Sequence, residues 1–201
     1  MAQERLITQI DYARAGKITP QMEAVAAKEH KTPEEIRAGV AKGCIAIPAN
    51  IHHAALSPEG VGEGMRTKVN VNLGISGDLM NAEMELEKVR TAIELGAEGI
   101  MDLSNHGKTH DFRKHLIDMS PAMIGTVPMY DAIGYLEKPL IGITAQDFLD
   151  VVRAHAEDGV DFVTIHAGMN RRTIENFKET GRLMNIVSRG GSLIFAWMEA
   201  T

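Results

Sequence analysis

The chain has 201 residues, 44% of them hydrophobic and 24% charged, a balance that excludes intrinsic disorder and points to an ordinary globular protein. Aromatic residues make up only 4% and the formal net charge is −6, so no nucleic-acid partner is expected: rings for base stacking are few and no basic surplus exists to neutralise phosphates. No apolar run approaches the roughly 20 residues of a membrane span, and the N-terminus lacks a signal-peptide pattern. The single cysteine, Cys44, excludes a disulfide framework within the chain, so a cytoplasmic location is expected. One cysteine also cannot hold an iron–sulfur cluster or a cysteine-rich zinc site.

Residues 1–66 read as a helical N-terminal extension and linker. Thr19-Pro20 precedes the helical run QMEAVAAKEH, and Thr32-Pro33-Glu34-Glu35 is a capping box. The apolar segment CIAIPAN and the Gly-rich EGVGEGM follow, the latter read as linker because no strand–turn–helix context surrounds its glycines. His52-His53 are metal ligands by residue type, but neighbours on an extended chain point apart, which argues against one shared ion.

From residue 67 a regular alternation begins. Strand-like runs are TKVNVNLG (67–74), GIMDLS (99–104), AMIGTVPM (122–129), DFVTIHAG (161–168) and MNIVS (184–188). Between most of them lie helical spacings: Leu86, Val89, Ala92 and Ile93 in 82–95, Phe112, Leu116 and Ile117 in 110–118, and Phe148, Val152 and Ala156 in 145–158. Thr144 and Asp147 cap the last of these, and Gly96 and Gly159 stand where helix C-caps are expected. Consecutive βα units result. Polar residues follow every strand: Asn72, Asp102 and Ser104, Thr126 and Tyr130, His166, then Ser188 and Arg189. An open doubly wound sheet needs such residues only beside its switch point, whereas a (β/α)8 TIM-type barrel gathers all strand ends at one mouth. The expected fold is therefore α/β, with residues 67–201 supplying about five βα units of a (β/α)8 barrel.

Ser188-Arg189-Gly190-Gly191-Ser192 is the most specific local signal. Two glycines would let the backbone curl, so that successive N–H groups, the Arg189 charge and two hydroxyls face one phosphate; an ordinary Gly turn is the competing reading. His166 at a strand end suits proton transfer or substrate hydrogen bonding, against a purely structural role. Asn70 and Asn72 share one face of their strand, where a polar ligand or a neighbouring Asp102 would partner their amides. Tyr130 is placed to offer its hydroxyl to the mouth, and Met101 reads as core, as most methionines do. His106, His110 and His115 read as a solvated surface. No lysine lies at a strand end except Lys68, at the start of its strand, which gives a Schiff-base aldolase little support.

These segments in this order, TQIDYARAGKITPQMEAVA, IPANIHH, TKVNVNLG, IMDLS, IGTVPMYDA, DGVDFVTIHAG and IVSRGGS, resemble the phosphomethylpyrimidine synthase (ThiC) family. The resemblance implies a radical S-adenosylmethionine lyase on a (β/α)8 barrel that rearranges 5-aminoimidazole ribotide. By that resemblance a reduced [4Fe–4S] cluster would cleave S-adenosylmethionine to a 5′-deoxyadenosyl radical, and a divalent metal, zinc or iron, and a homodimer are also implied. By the same resemblance, substrate contacts fall on Asn72, Met101, Tyr130, His166, Ser188, Arg189 and Gly190, with His166 the best catalytic candidate. The family's DGLR and EGPGH segments, its metal-binding histidines and its cluster cysteines would lie beyond residue 201, so the chain reads as an N-terminal portion of the enzyme. Departures such as DLSNHGKTH and MSPAMIGTVPMYDA resemble the paralogous 5-hydroxybenzimidazole synthases of anaerobic cobamide synthesis. That product is the expectation, with the pyrimidine phosphate of thiamin biosynthesis as the alternative and a non-catalytic phosphate-binding fragment as the second.

Overall fold

The computed structural model describes residues 6–135, 138–181 and 183–201. Three short helices open the chain: α1 (Gln9–Arg14), α2 (Pro20–Glu29) and α3 (Pro33–Lys42). Thr8, Thr19 and Thr32 cap them, each hydroxyl accepting an N–H of the first turn; in α1 and α3, Asp11 and Glu35 complete capping boxes. Their apolar faces close a small core of Ala13, Met22, Val25, Ala26, Ile36 and Val40, to which Ile45 and Ile47 contribute. The Gly-rich stretch is more than a linker. Val61–Gly62 (β2) pairs antiparallel with Ile45–Ala46 (β1), and Gly62, at φ 143°, brings its backbone so close to Cys44 that any Cβ would strike the carbonyl oxygen.

Four parallel strands follow: β3 (Asn70–Leu73), β4 (Gly99–Asp102), β5 (Met123–Thr126) and β6 (Phe162–Val163). They lie side by side in chain order, without the reversal that marks a doubly wound sheet. The helices between them are α4 (Ala82–Glu94), α5 (His110–Met119), α6 (Pro128–Tyr135) and α7 (Ala145–Asp158). The fold is thus α/β with a parallel four-stranded sheet, open at β3 and β6. After β6 come α8 (Arg171–Glu179) and α9 (Arg189–Ala200).

Register decides which side chains face the helices. Val71, Ile100 and Ile124 align across the sheet, as do Leu73, Asp102 and Thr126. Leu73, Ile100 and Ile124 pack with Val89, Ala92, Phe112, Leu116 and Ile117 of α4 and α5 into the main core. Burying this apolar face is what holds the helices to the sheet. The opposite face carries Asn70, Asn72, Met101 and Phe162, with Gly99 and Gly125 between them. The Phe162 ring lies across Gly125 so closely that a Cβ there would stand 2.3 Å from it.

Three further expectations need correction. The run 184–188 forms no strand; it is irregular chain leading into α9, with Met184 and Val187 largely exposed. The buried stripe of α7 passes through Val151 and His155 rather than Ala156, because Phe148 and Val152 face α9, where Phe148 meets Trp197 edge-on at 5.2 Å. Residues following Pro128 turn at once into α6: β5 stops at Thr126, and Pro128 is pre-set for a first helical turn.

Candidate functional site

The strand ends divide into two poles. At the N-terminal pole, Asp161, with no exposed side-chain surface, accepts from the Asn50 and Ile124 N–H groups at 2.8 and 2.7 Å and faces His53 Nδ1 at 2.7 Å. His53 Nε2 faces the Ser120 carbonyl at 2.8 Å, so both ring nitrogens meet acceptors and both must donate. Burial alone would lower the His53 pKa, but the Asp161 carboxylate and the Ser120 carbonyl hold it above its ordinary value. His53 is therefore a clasp between the extension and the sheet rather than a metal ligand, and no group of His, Cys, Asp and Glu fit to hold a metal occurs among the described residues. Lys68 pairs with Glu29, and Arg66 with Glu98, at the same pole.

The C-terminal pole holds the candidate site. Tyr130 stands in the first turn of α6, directly after β5, and His166 in the loop after β6. Their ring centroids are 6.3 Å apart at a 41° tilt. The Arg189 guanidinium lies 5.9 Å from the Tyr130 ring centroid, and a Cβ on Gly190 would stand 2.1 Å from the His166 ring. Four of the residues singled out in the sequence, from three separate elements, are thus drawn into one cluster. His166 Nδ1 is buried without a hydrogen-bond partner. A buried polar atom left unpaired costs about 1–3 kcal/mol, so it marks where a ligand or water atom belongs. The ring also borders an apolar cleft of about 320 Å³ floored by Met129, Phe148 and Trp197.

Asn72 and Met101 are register partners one residue before the ends of β3 and β4. The structure sets them side by side on the sheet face away from the helices, and among the described residues no side-chain hydrogen bond joins this pair to the Tyr130–His166 cluster. Asn72 accepts from Asn70 Nδ2 at 2.8 Å. Asp102 is not its partner: parallel register puts Asp102 level with Leu73, on the helix side, where its Oδ1 accepts from the Ser104 N–H at 2.9 Å. There burial pushes the Asp102 carboxyl up, against the opposing pull of Ser104 and Arg113.

The Ser-Arg-Gly-Gly-Ser segment works differently from the expected curled loop. Neither Gly190 nor Gly191 has positive φ; both belong to the first turn of α9. Gly190 is required for close approach to His166. Ser188 is the N-cap, its Oγ accepting from the Gly191 N–H at 3.2 Å, and the Ser192 hydroxyl donates to the Arg189 carbonyl at 2.8 Å, so that second hydroxyl is spent inside the helix. What remains for an anion is the start of a twelve-residue helix, with its first N–H groups and dipole, and the exposed Arg189.

His106 and His115 are exposed, as expected; His110 is 54% exposed and reaches Asp158 at 3.0 Å. Sequence reasoning missed a buried polar cluster behind the site, Thr109, Arg113, Asp131 and His155, joined by hydrogen bonds of 2.7–3.1 Å. Its one visible signal was a histidine four residues after Val151 on the inward face of α7.

Comparison with known proteins places residues 8–201 within the model of the Radical SAM ThiC family. The chain is 65% identical over 192 residues to a phosphomethylpyrimidine synthase of Alkaliphilus metalliredigens, covering 96% of this chain and 44% of that protein. It is 62% identical to the enzyme of that name from Clostridium tetani, covering 42% of its length, and 61% identical to that of Clostridium perfringens, covering 44%. The chain therefore spans less than half the length of these relatives. Among the described residues no helix is long and apolar enough to cross a membrane.

Proposed function

The chain belongs to the Radical SAM ThiC family, and we propose that it forms the substrate-holding part of a phosphomethylpyrimidine synthase of thiamin biosynthesis, gripping 5-aminoimidazole ribotide at the C-terminal rim of a (β/α)8 barrel. The single observation that carries this reading is the convergence of Tyr130, His166, Arg189 and Gly190 around an unpartnered imidazole nitrogen. In-order parallel strands without a switch point support the barrel. The relatives' names support the pyrimidine product over the hydroxybenzimidazole that the loop departures suggested.

Each residue then has a physical task. Arg189 and the first turn of α9 take the phosphate, a charge-assisted contact reinforced by the helix dipole. His166 Nδ1, lacking a protein partner, pairs with a ribose or imidazole polar atom, while Tyr130 closes the other side. Asn72 and Met101 line the neighbouring strand ends, and the Ser188 hydroxyl still carries its own proton while capping α9.

Radical SAM membership implies a [4Fe–4S] cluster and S-adenosylmethionine, a pairing whose chemistry belongs to the cofactor. The described residues do not fit the cluster: the sequence has one cysteine, Cys44, which is exposed, and a cluster takes several thiolates. The residues of this chain bind, orient and shield; holding a reactive substrate in one pose is itself a large part of selectivity.

Titration calorimetry with 5-aminoimidazole ribotide tests the reading. The 201-residue chain should bind it, and Arg189→Ala should weaken binding by about 1.5–3 kcal/mol, typical of a lost charge-assisted bond. Equal affinity for the variant removes the phosphate assignment, and no binding by the unaltered chain removes the site. Anaerobic incubation of a cluster-bearing protein containing this chain with ribotide, S-adenosylmethionine and reductant should yield the pyrimidine phosphate by mass spectrometry; hydroxybenzimidazole would reverse the product assignment.

A further inference from the structure

The polar cluster behind the rim is deeply buried: Arg113, Asp131 and His155 are 2–4% exposed, Thr126 1% and Thr109 2%. Asp131 accepts three hydrogen bonds, from Thr109 Oγ1 at 2.7 Å, Arg113 at 3.1 Å and His155 Nε2 at 2.9 Å. Burial would raise its pKa, but the His155 and Thr109 bonds and the Arg113 charge hold the carboxyl below its usual range. A carboxylate only accepts, so the His155 Nε2 must carry the proton given to it. The other ring nitrogen, Nδ1, meets the Thr126 hydroxyl at 2.8 Å. Arg113 is held in turn by Asp158 Oδ2, at 2.9 Å from Nε and 2.7 Å from the terminal nitrogen.

Both ends of this chain of bonds lead to the rim. Asp131 is the residue after Tyr130, in the same first turn of α6. Thr126 ends β5, and its carbonyl accepts from the Thr164 N–H at 2.8 Å, two residues before His166. His155, on α7, therefore ties α6, which carries Tyr130, to Thr126, the residue whose carbonyl holds the chain leading to His166. A fully connected buried network has one low-energy arrangement, whereas an apolar filling would tolerate several.

We propose that His155 and Asp131 are positioning residues, which fix the separation and tilt of Tyr130 and His166 by joining the start of α6 to the end of β5. The consequence for ligand binding rests on the reading of the rim as a ribotide site; the consequence for the two rings does not. No catalytic contact is assigned to either residue, because both are buried and their side-chain hydrogen bonds go to protein groups.

Two measurements separate the parts. In the unliganded protein, proton NMR should show a cross-relaxation contact between the Tyr130 and His166 rings. That contact should be lost in His155→Leu and kept in His155→Gln, whose amide can still donate to Asp131. Calorimetry with 5-aminoimidazole ribotide, well below each variant's Tm, should show affinity reduced about tenfold in His155→Leu, the scale of one lost buried charge-assisted bond. Glutamine should restore most of it. Should the leucine variant fail to fold, Thr126→Val, which removes only the second tether, replaces it with a smaller expected loss. A ring contact unchanged in both His155→Leu and Thr126→Val overturns the proposal. Altered rings in a protein that never binds ribotide would uphold the positioning role and refute the ribotide site. Equal damage in the glutamine and leucine variants, tracking Tm alone, would reduce His155 to a stability element and overturn it as well.

Discussion

The two poles of the sheet are built from similar residue types to opposite ends. At the N-terminal pole, histidine and carboxylate are consumed by protein partners: His53 donates from both nitrogens, and all three of the Asp161 partners are protein groups. At the C-terminal pole, His166 keeps a buried nitrogen unpaired and Arg189 stays exposed beside Tyr130. Glu59 at the N-terminal pole also has an oxygen without a hydrogen bond, yet Arg66 and Lys68 stand 3.6 and 3.9 Å from it. Charge without a hydrogen bond is compensated there; a lone imidazole nitrogen at the rim is not. The difference teaches that satisfied polar groups mark where the fold is secured, and unsatisfied ones where it waits for something else.

That contrast can be broken most directly at Asp161. Asp161→Ala strands His53 and two backbone N–H groups, and should cost about 3–5 kcal/mol in chemical denaturation, as removal of one partner of a buried pair does. A cost of about 1 kcal/mol or less, the range of an exposed pair, would mean that the clasp does not secure the extension. Smaller but more pointed is Gly190→Ala. Forcing a Cβ against the His166 ring should cost about 1–3 kcal/mol of overpacking, partly offset by the helix preference for alanine, and should displace His166 enough to weaken ribotide binding. Gly191→Ala, whose Cβ would sit 3.3 Å from Ile186 and Ser188, should be tolerated; equal effects of the two would remove the special closeness of Gly190 and His166. The mildest effect is on pH. The folded-state pKa of His53 is raised above 6.5, so its stabilisation is complete below the unfolded value and is lost as pH rises through the folded one. The urea midpoint should therefore fall as pH climbs past 6.5, and His53→Gln should flatten that decline. An unchanged slope in the variant would place the pH sensitivity elsewhere.

Much of the architecture was legible because local chemistry and periodicity agreed. The capping boxes at Thr32 and Thr144 and the left-handed C-cap at Gly159 stand where their residues announce them. The strands over 70–73, 99–102 and 123–126 fall within the apolar runs that suggested them. Failures came where a partner was needed. The run 184–188 has the composition of a strand, yet a strand exists only when another supplies its hydrogen bonds, and β6 forms the edge of the sheet. The Gly-rich stretch around Val61 looked like linker because its pairing with Ile45–Ala46 is invisible from either segment alone. Asp102 suggests itself as a partner for Asn72 in the sequence, yet register levels it with Leu73 on the other face. Of the candidate cluster, Tyr130, His166, Arg189 and Gly190 stand out in the sequence, but the network through His155 does not, since Asp131 and Thr126 lie 24 and 29 residues away from it in sequence.

Composition, capping chemistry and repeat spacing by themselves determined that this chain makes consecutive βα units with polar residues at the strand ends, because those features act within a few residues. Only the tertiary structure decided which polar groups would be spent on one another and which left open, since hydrogen-bond partners are chosen by sheet register and helix docking across long stretches of chain. Gly190 shows the division plainly: a glycine beginning a helix can be read from the sequence, but the imidazole ring that demands it arrives from another element.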